Sequence, residues 1–365
     1  MTIKTIQFLF CSLFFLFSCG RNNTEDHFLG EIIEFDVNDP SIVEETLEAK
    51  PIQLDGIYDG WIATHDSLIF FWSNRYDTHF FNVFNLNSGK FLGSFVPKGS
   101  GPDDIISAPP IYDIYEEQGE LKTVLNAHNE QQFRIWNITK SIDLGKTIFD
   151  KKSSYQRGRV GYVAITYLDE ERILVYHPES TPKDPDTPTS LPRFQTLKLN
   201  SGELLREYPI FKKHIIPEDE QYLPFPLAGT TAIKDDKTKA VHAMIFLDQI
   251  NIVDLSTGEV KGLRKKNSPT FSRFYEDIKN PKYYYNRVQA NNSYIVATWR
   301  DGIPVDYTKT VPYDQLHVFN WEGELIKKIR LDTPVQEIWL DKKTNRFYGY
   351  NPYLEKLYEY NLNLE

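Results

Sequence analysis

One short phrase returns six times along this chain, and its spacing constrains the fold more than any other feature. "NVFNLNSGKFLG" (82–93) is followed by "RIWNITKSIDLG" (134–145), "TLKLNSGELLRE" (196–207), "NIVDLSTGEVKG" (251–262), "HVFNWEGELIKK" (317–328) and a truncated "LYEYNLNLE" (357–365). Each reads as an apolar strand, a turn and a second, amphipathic strand. Gly89, Gly202, Gly258 and Gly323 stand where such a hairpin needs a positive φ. Aligned on the residue that opens each turn (Asn85, Asn137, Lys198, Asp254, Asn320, Asn361), the copies lie 52, 61, 56, 66 and 41 residues apart. Periods of that length are those of β-propeller blades with insertions.

Upstream of each phrase lies a further strand pair, clearest in "GWIATHDSLIFFWS" (60–73), with a turn at 65–67. The segments "RVGYVAITYLDEERILVYH" (159–177), "NNSYIVATW" (291–299) and "QEIWLDKKTNRFYGYN" (336–351) are similar. The unit is thus a four-stranded meander. Aromatic residues make up 14% of the chain, which suits pleated, half-buried surfaces. The sixth copy stops after a third strand. A ring has to close or leave an unpaired edge, and "LEAKPIQLDG" (47–56) can supply the missing outer strand. The expected fold is all-β: a six-bladed β-propeller of four-stranded antiparallel blades, closed by an N-terminal strand in the last blade.

The net charge is −10. A surface that neutralises nucleic-acid phosphates has to be basic, so no nucleic-acid partner is expected. At the N-terminus Lys4 precedes the apolar run "FLFCSLFFLF" (8–17), which is shorter than the ~20 residues of a spanning helix and suits a signal peptide. It is followed by "LFSCG" (16–20), which resembles the lipobox of bacterial lipoproteins. That resemblance implies cleavage before Cys19 and lipid on Cys19. Cleavage would remove Lys4 and leave a charge of −11, so the lipid, and not the acidic domain, would hold the protein to a membrane. The only two cysteines, Cys11 and Cys19, both lie in this segment, so no disulfide framework or thiolate metal site is available to the rest of the chain. The expected organisation is a signal peptide over 1–18, a lipidated Cys19 and tether over 19–31, and a propeller over 32–365.

With its repeats, its lipobox and the loop "KGSGPDD" (98–104), the chain resembles the TolB-like six-bladed β-propeller lipoproteins. The resemblance covers most of the mature chain. It implies a cell-envelope protein of a Gram-negative bacterium, lipid-anchored, with the outer membrane as the expected site. It implies no catalytic mechanism, because a fold does not carry one.

Two stretches are candidate sites. In "KGSGPDD", Gly99 and Gly101 could expose backbone N–H groups to an anion, whereas Asp103 and Asp104 could bind a cation such as calcium. The same residues also suit a stiff crossover between blades. In "KNPKYYYNR" (279–287) and "ATWRDG" (297–302), Tyr284 and Trp299 could form an aromatic platform for a sugar or peptide, and Arg287 and Arg300 could clamp a carboxylate. The alternative is that the tyrosines pack between blades and the arginines pair with local acids such as Asp301. Trp61, Trp72 and Tyr76 are expected in inter-blade packing. "HPESTPKDPDTPTSLPR" (177–193) should be a long excursion from the third blade, and "PEDEQYLPFPLAG" (217–229) a flap over one face.

No G-x-S-x-G, H-E-x-x-H or complete P-loop occurs. No cofactor is expected, with a divalent cation such as calcium as the open alternative, and the sequence leaves the catalytic residues, if there are any, unknown. The reading is a monomeric envelope lipoprotein acting as a non-enzymatic binding or scaffolding module for a protein, peptide or glycan. The competing reading is a metal-assisted hydrolase or lyase with its site in the central channel.

Overall fold

In the computed structural model the described residues are 27–155, 162–179, 190–212, 226–271, 273, 280–304, 312–362 and 364. The signal segment, Cys19, most of the tether, residues 180–189 of the 177–193 stretch and residues 217–225 of the 217–229 stretch lie outside them.

Six sheets follow one another along the chain. Blade 1 is β4 (Trp61–His65), β5 (Leu68–Trp72), β6 (His79–Asn85) and β7 (Phe91–Pro97). Blade 2 is β8 (Tyr115–Glu117), β9 (Glu120–Ala127), β10 (Gln132–Asn137) and β11 (Phe149–Ser154). Blade 3 is β12 (Ala164–Tyr167), β13 (Arg172–His177), β14 (Arg193–Lys198) and β15 (Leu204–Pro209). Blade 4 is β16 (Gly229–Ile233), β17 (Lys239–Met244), β18 (Gln249–Asp254) and β19 (Val260–Lys265), and blade 5 is β20 (Lys282–Ala290), β21 (Tyr294–Pro304), β22 (Tyr313–Asn320) and β23 (Leu325–Val335). Blade 6 has β24 (Glu337–Leu340), β25 (Phe347–Asn351) and β26 (Lys356–Tyr360) from the end of the chain. Its fourth strand is β3 (Ala49–Ile52), antiparallel to β26, with Ile52 opposite Leu357 and Ala49 opposite Tyr360. The ring is therefore the expected six-bladed propeller, closed by the expected N-terminal strand.

The N-terminal segment does more than close the ring. β1 (Glu31–Phe35) runs parallel to β19, and β2 (Val43–Leu47) parallel to β23. The segment thus covers the outer strands β19, β23 and β26 of blades 4, 5 and 6 in turn. Packing also starts before Glu31. Phe28 is fully buried, with its ring 5.9 Å from Phe211 and 6.2 Å from Phe271. Residues 27–30 therefore belong to the folded body and not to a tether.

The turn phrase has a common physical cause. In blade 1 the Asn85 side chain accepts the N–H groups of Asn87 and Ser88, and Gly89, at φ 71°, donates back to the Asn85 carbonyl. Asp254 does the same for Ser256 and Thr257, and Asn320 for Gly323 and Glu324. The second copy departs from the pattern. Asn137 caps a short helix, α1 (Ile138–Leu144), accepting the Lys140 N–H, and Gly145 ends it in the left-handed region. The segment read as a turn and second strand is a short helix with Gly145 as its C-cap.

The middle strands are buried on both faces through their centres, as in β5 and β18, because each blade packs against a neighbour on both faces. The core is accordingly a series of inter-blade layers. Trp136, for example, is fully buried with its ring 5.1 Å from Phe81 and 6.0 Å from Phe95.

Candidate functional site

Between the inner strands of blades 3 to 6, Thr166, Thr231, Gln289, Trp339, Lys342 and Tyr112 help enclose a void of about 40 Å³, room for no more than a few waters. Lys342 is held by Asp235 at 3.1 Å. Among the described residues no three His, Cys, Asp or Glu side chains gather as a metal site would need.

The larger opening lies on one face, between blades 6 and 1. It holds about 940 Å³, near the top of the range for ligand sites. Three segments build it: the connection from β3 to β4 (54–61), the β5–β6 loop (72–75) and the blade 6 residues 336–337 and 350–355. Tyr58 anchors the first segment. Its ring packs 4.9 Å from Phe71, its hydroxyl donates to the Glu355 carbonyl at 3.0 Å, and Tyr350 donates to its own carbonyl at 3.2 Å. Asn82 donates to the Ile57 carbonyl at 3.1 Å. The Ile57 backbone is therefore held while its side chain is 81% exposed. Tyr353 across the groove is 58% exposed. Trp61 and Trp72 form a T-shaped pair at 6.3 Å in the wall. Asp59 and Glu355 put negative charge at the rim, and the nearest cation, Arg75, lies 3.5 Å from Asp59 on a side chain that is 87% exposed.

At the inner end of the groove Glu337 is clasped by Arg287. Nε donates to Oε2 and Nη2 to Oε1, both at 2.7 Å, and the guanidinium lies 3.9 Å above the Trp61 ring. Burial works against the Arg287 charge, but Glu337 outweighs it and holds the Arg287 pKa above its ordinary value. Next to this pair, burial pushes the hydroxyls of Tyr112 and Tyr313 up to about 12.

The residues singled out in the sequence are distributed as follows. In "KGSGPDD" the Asp104 carboxylate accepts the Gly101 N–H at 3.0 Å, so the loop's own side chain fills the turn that could have cradled an anion. A Cβ at Gly99 would lie 2.4 Å from the same carboxylate. Asp103 is paired with Lys152 at 2.6 Å, which holds its carboxyl below the usual range. Trp299 is buried, stacked 4.3 Å from His317 and bonded to Asp248 at 3.2 Å; Tyr284 is buried in the same core layer. Neither presents a platform to a ligand. Asp301 is paired with Lys265, not with an arginine. Arg287 holds Glu337 at the inner end of the groove, and Tyr313 stacks 3.7 Å from Arg300.

Trp61 and Trp72 are half-buried and line the groove, so their role extends beyond inter-blade packing. Ile57, Tyr58, Tyr353 and Glu355 were not foreseen. The available signal was "DGIYDGW" (55–61), in which two large apolar residues sit among glycines and aspartates without strand periodicity.

No family model matches the chain, and neither does any curated protein. Solved structures do. A member of the DUF4221 family from Bacteroides vulgatus aligns with a TM-score of 0.55 at 12% identity, over 87% of this chain and 96% of that one. A Bacteroides fragilis protein described as exported aligns with a TM-score of 0.52 at 12% identity, over 91% and 98%. At this identity the likeness establishes the fold alone. The six-bladed part of the TolB-like resemblance stands on the structure, while the family label itself has no match. No helix among the described residues is long and apolar enough to cross a membrane.

Proposed function

We propose that the protein is a non-enzymatic binding module of the bacterial cell envelope, and that the groove between blades 6 and 1 takes a peptide or an exposed protein segment. The observation that carries this is the apolar rim. Ile57 and Tyr353 stand out into solvent around a formed groove, on backbone held by hydrogen bonds. Exposed apolar side chains clustered at a groove mark an interaction surface. Ile57 offers nothing to sugar hydroxyls, which favours a peptide over a glycan. Asp59 and Glu355 favour one with a basic residue next to its apolar anchor.

A peptide array probed with the protein tests the reading. Apolar-basic peptides should be selected, and Ile57→Asp should weaken their binding at least tenfold without lowering the melting temperature. Binding with no such selection, or binding indifferent to Ile57→Asp, would refute it. The envelope location rests on the lipobox-like "LFSCG" and on the exported description of one structural neighbour. The anchor is the lipid on Cys19, and labelled palmitate that still enters Cys19→Ala protein would exclude it.

A further inference from the structure

Arg300 is the strongest unexplained group in the molecule. It is only 6% exposed, yet its Nε and Nη2 have no hydrogen-bond partner. Other enclosed arginines are satisfied: Arg134 donates to the Asp104 carbonyl at 2.8 Å, Arg264 to Gln249 at 2.6 Å, and Arg287 to Glu337. No carboxylate among the described residues pairs with Arg300, and its sequence neighbour Asp301 is taken by Lys265. One face of the guanidinium is covered by Tyr313 at 3.7 Å, and Tyr283, half-buried, flanks it at 5.8 Å. Tyr283 is itself backed by Phe246, stacked at 5.8 Å.

Nε and Nη2 form one edge of the planar fork, the edge with which Arg287 clasps Glu337. In Arg300 that edge has no partner. An arginine keeps its charge at any physiological pH, and a buried charge without a counter-ion is strongly unfavourable. Its retention makes sense if a ligand supplies the missing acceptor. The aromatic side chains around it fix the plane of the fork and exclude water, which strengthens a charged hydrogen bond.

We propose that Arg300, on β21 of blade 5 between Tyr283 and Tyr313, is the anchor of a second site that binds the carboxylate of a ligand in a bidentate contact. The carboxylate could belong to a peptide C-terminus or to an acidic sugar. Arg300 is not among the residues that line the blade 6–1 groove, and the site does not depend on the reading of that groove.

The test is calorimetric titration of the full-length protein with two matched pairs: trialanine with a free C-terminus against its amide, and digalacturonate against digalactose. The acid member of one pair should bind at least tenfold more tightly than its neutral partner, and the pair that responds identifies the source. Arg300→Met should abolish the difference, and Arg300→Lys, which keeps the charge but loses the fork, should reduce it at least fivefold. Without ligand, Arg300→Met should melt no lower than the wild type, because it removes an unpaired buried charge. Three results would overturn the proposal: no preference for an acid in either pair, an unchanged preference in Arg300→Met, or a melting temperature lowered by that substitution. The last would show that Arg300 is satisfied within the fold. Apolar-basic peptides should bind Arg300→Met as they bind the wild type, so failure here leaves the groove untouched.

Discussion

At the scale of single residues, the contrast between Arg287 and Arg300 is the most informative. Both come from the stretch in which a carboxylate clamp is expected, and both carry the same fork. Arg287 is already satisfied by a carboxylate on the next blade, fifty residues away, whereas Arg300 is not. Removing one partner of a buried pair leaves the other as an unpaired charge, at a cost of about 3–5 kcal/mol. Both side chains of the Arg287–Glu337 pair are well enclosed, at 14% and 9% exposure. Arg287→Met should therefore lower unfolding stability by about that amount, and adding Glu337→Gln should recover much of it, both read by denaturant titration. Losses that simply add in the double variant would mean that the two groups are not coupled. The arginines were visible in the sequence as candidates. Which of them was free was not, because the answer depends on an acid brought in from another blade.

At the scale of elements, the repeated turn and the closing strand were both readable, and for related reasons. A turn is stabilised within a few residues. Asn85, Asp254 and Asn320 each satisfy backbone groups two to four positions ahead, so the pattern survives in the order of the letters. The missing strand followed from counting, since a third strand without a fourth demands a partner. The second copy shows the limit of that reasoning, because an asparagine before "ITKSIDLG" caps a helix as readily as it opens a hairpin. The two parallel strands β1 and β2 left no signature, as their sequences read like any other edge strand. They imply a measurable dependence. A chain lacking residues 27–52 loses the cover on three blade edges together, and should elute as soluble aggregate on size-exclusion chromatography. A monomeric, cooperatively melting product would mean that the ring closes without them.

At the scale of the whole molecule, packing blades face to face has enclosed titratable groups that set the acid stability. Burial lowers His242 and His317 to about 3 and His177 to about 4. Each stays neutral in the folded protein while the unfolded chain takes up a proton near pH 6.5. Their contribution is therefore complete above pH 6.5 and is lost as the pH falls towards 3–4. For the two fully enclosed histidines it amounts to at most about 5 kcal/mol each. Asp248 acts in the opposite sense. Burial raises it to about 6, so its contribution is present below pH 4 and is lost as the pH rises to 6, at about 3 kcal/mol. The histidines outweigh it. The melting temperature should fall steadily from pH 6.5 to pH 4, and His317→Phe, which keeps a ring over Trp299, should flatten that slope. A melting temperature constant over this range would show that the histidines are reached by water.

What could be read without coordinates was whatever depends on short-range order and on counting: the blade repeat, the turn residues, the number of blades and the strand that closes the ring. The groove and the free arginine edge were decided by tertiary structure. Ring closure brings Tyr58 to Glu355 and Tyr350, nearly 300 residues apart, and the packing of blade 6 on blade 5 sets Glu337 against Arg287. A side chain's availability for a ligand depends on what the fold has already placed against it. That is a property of contacts between blades, which the spacing of residues along one blade does not encode.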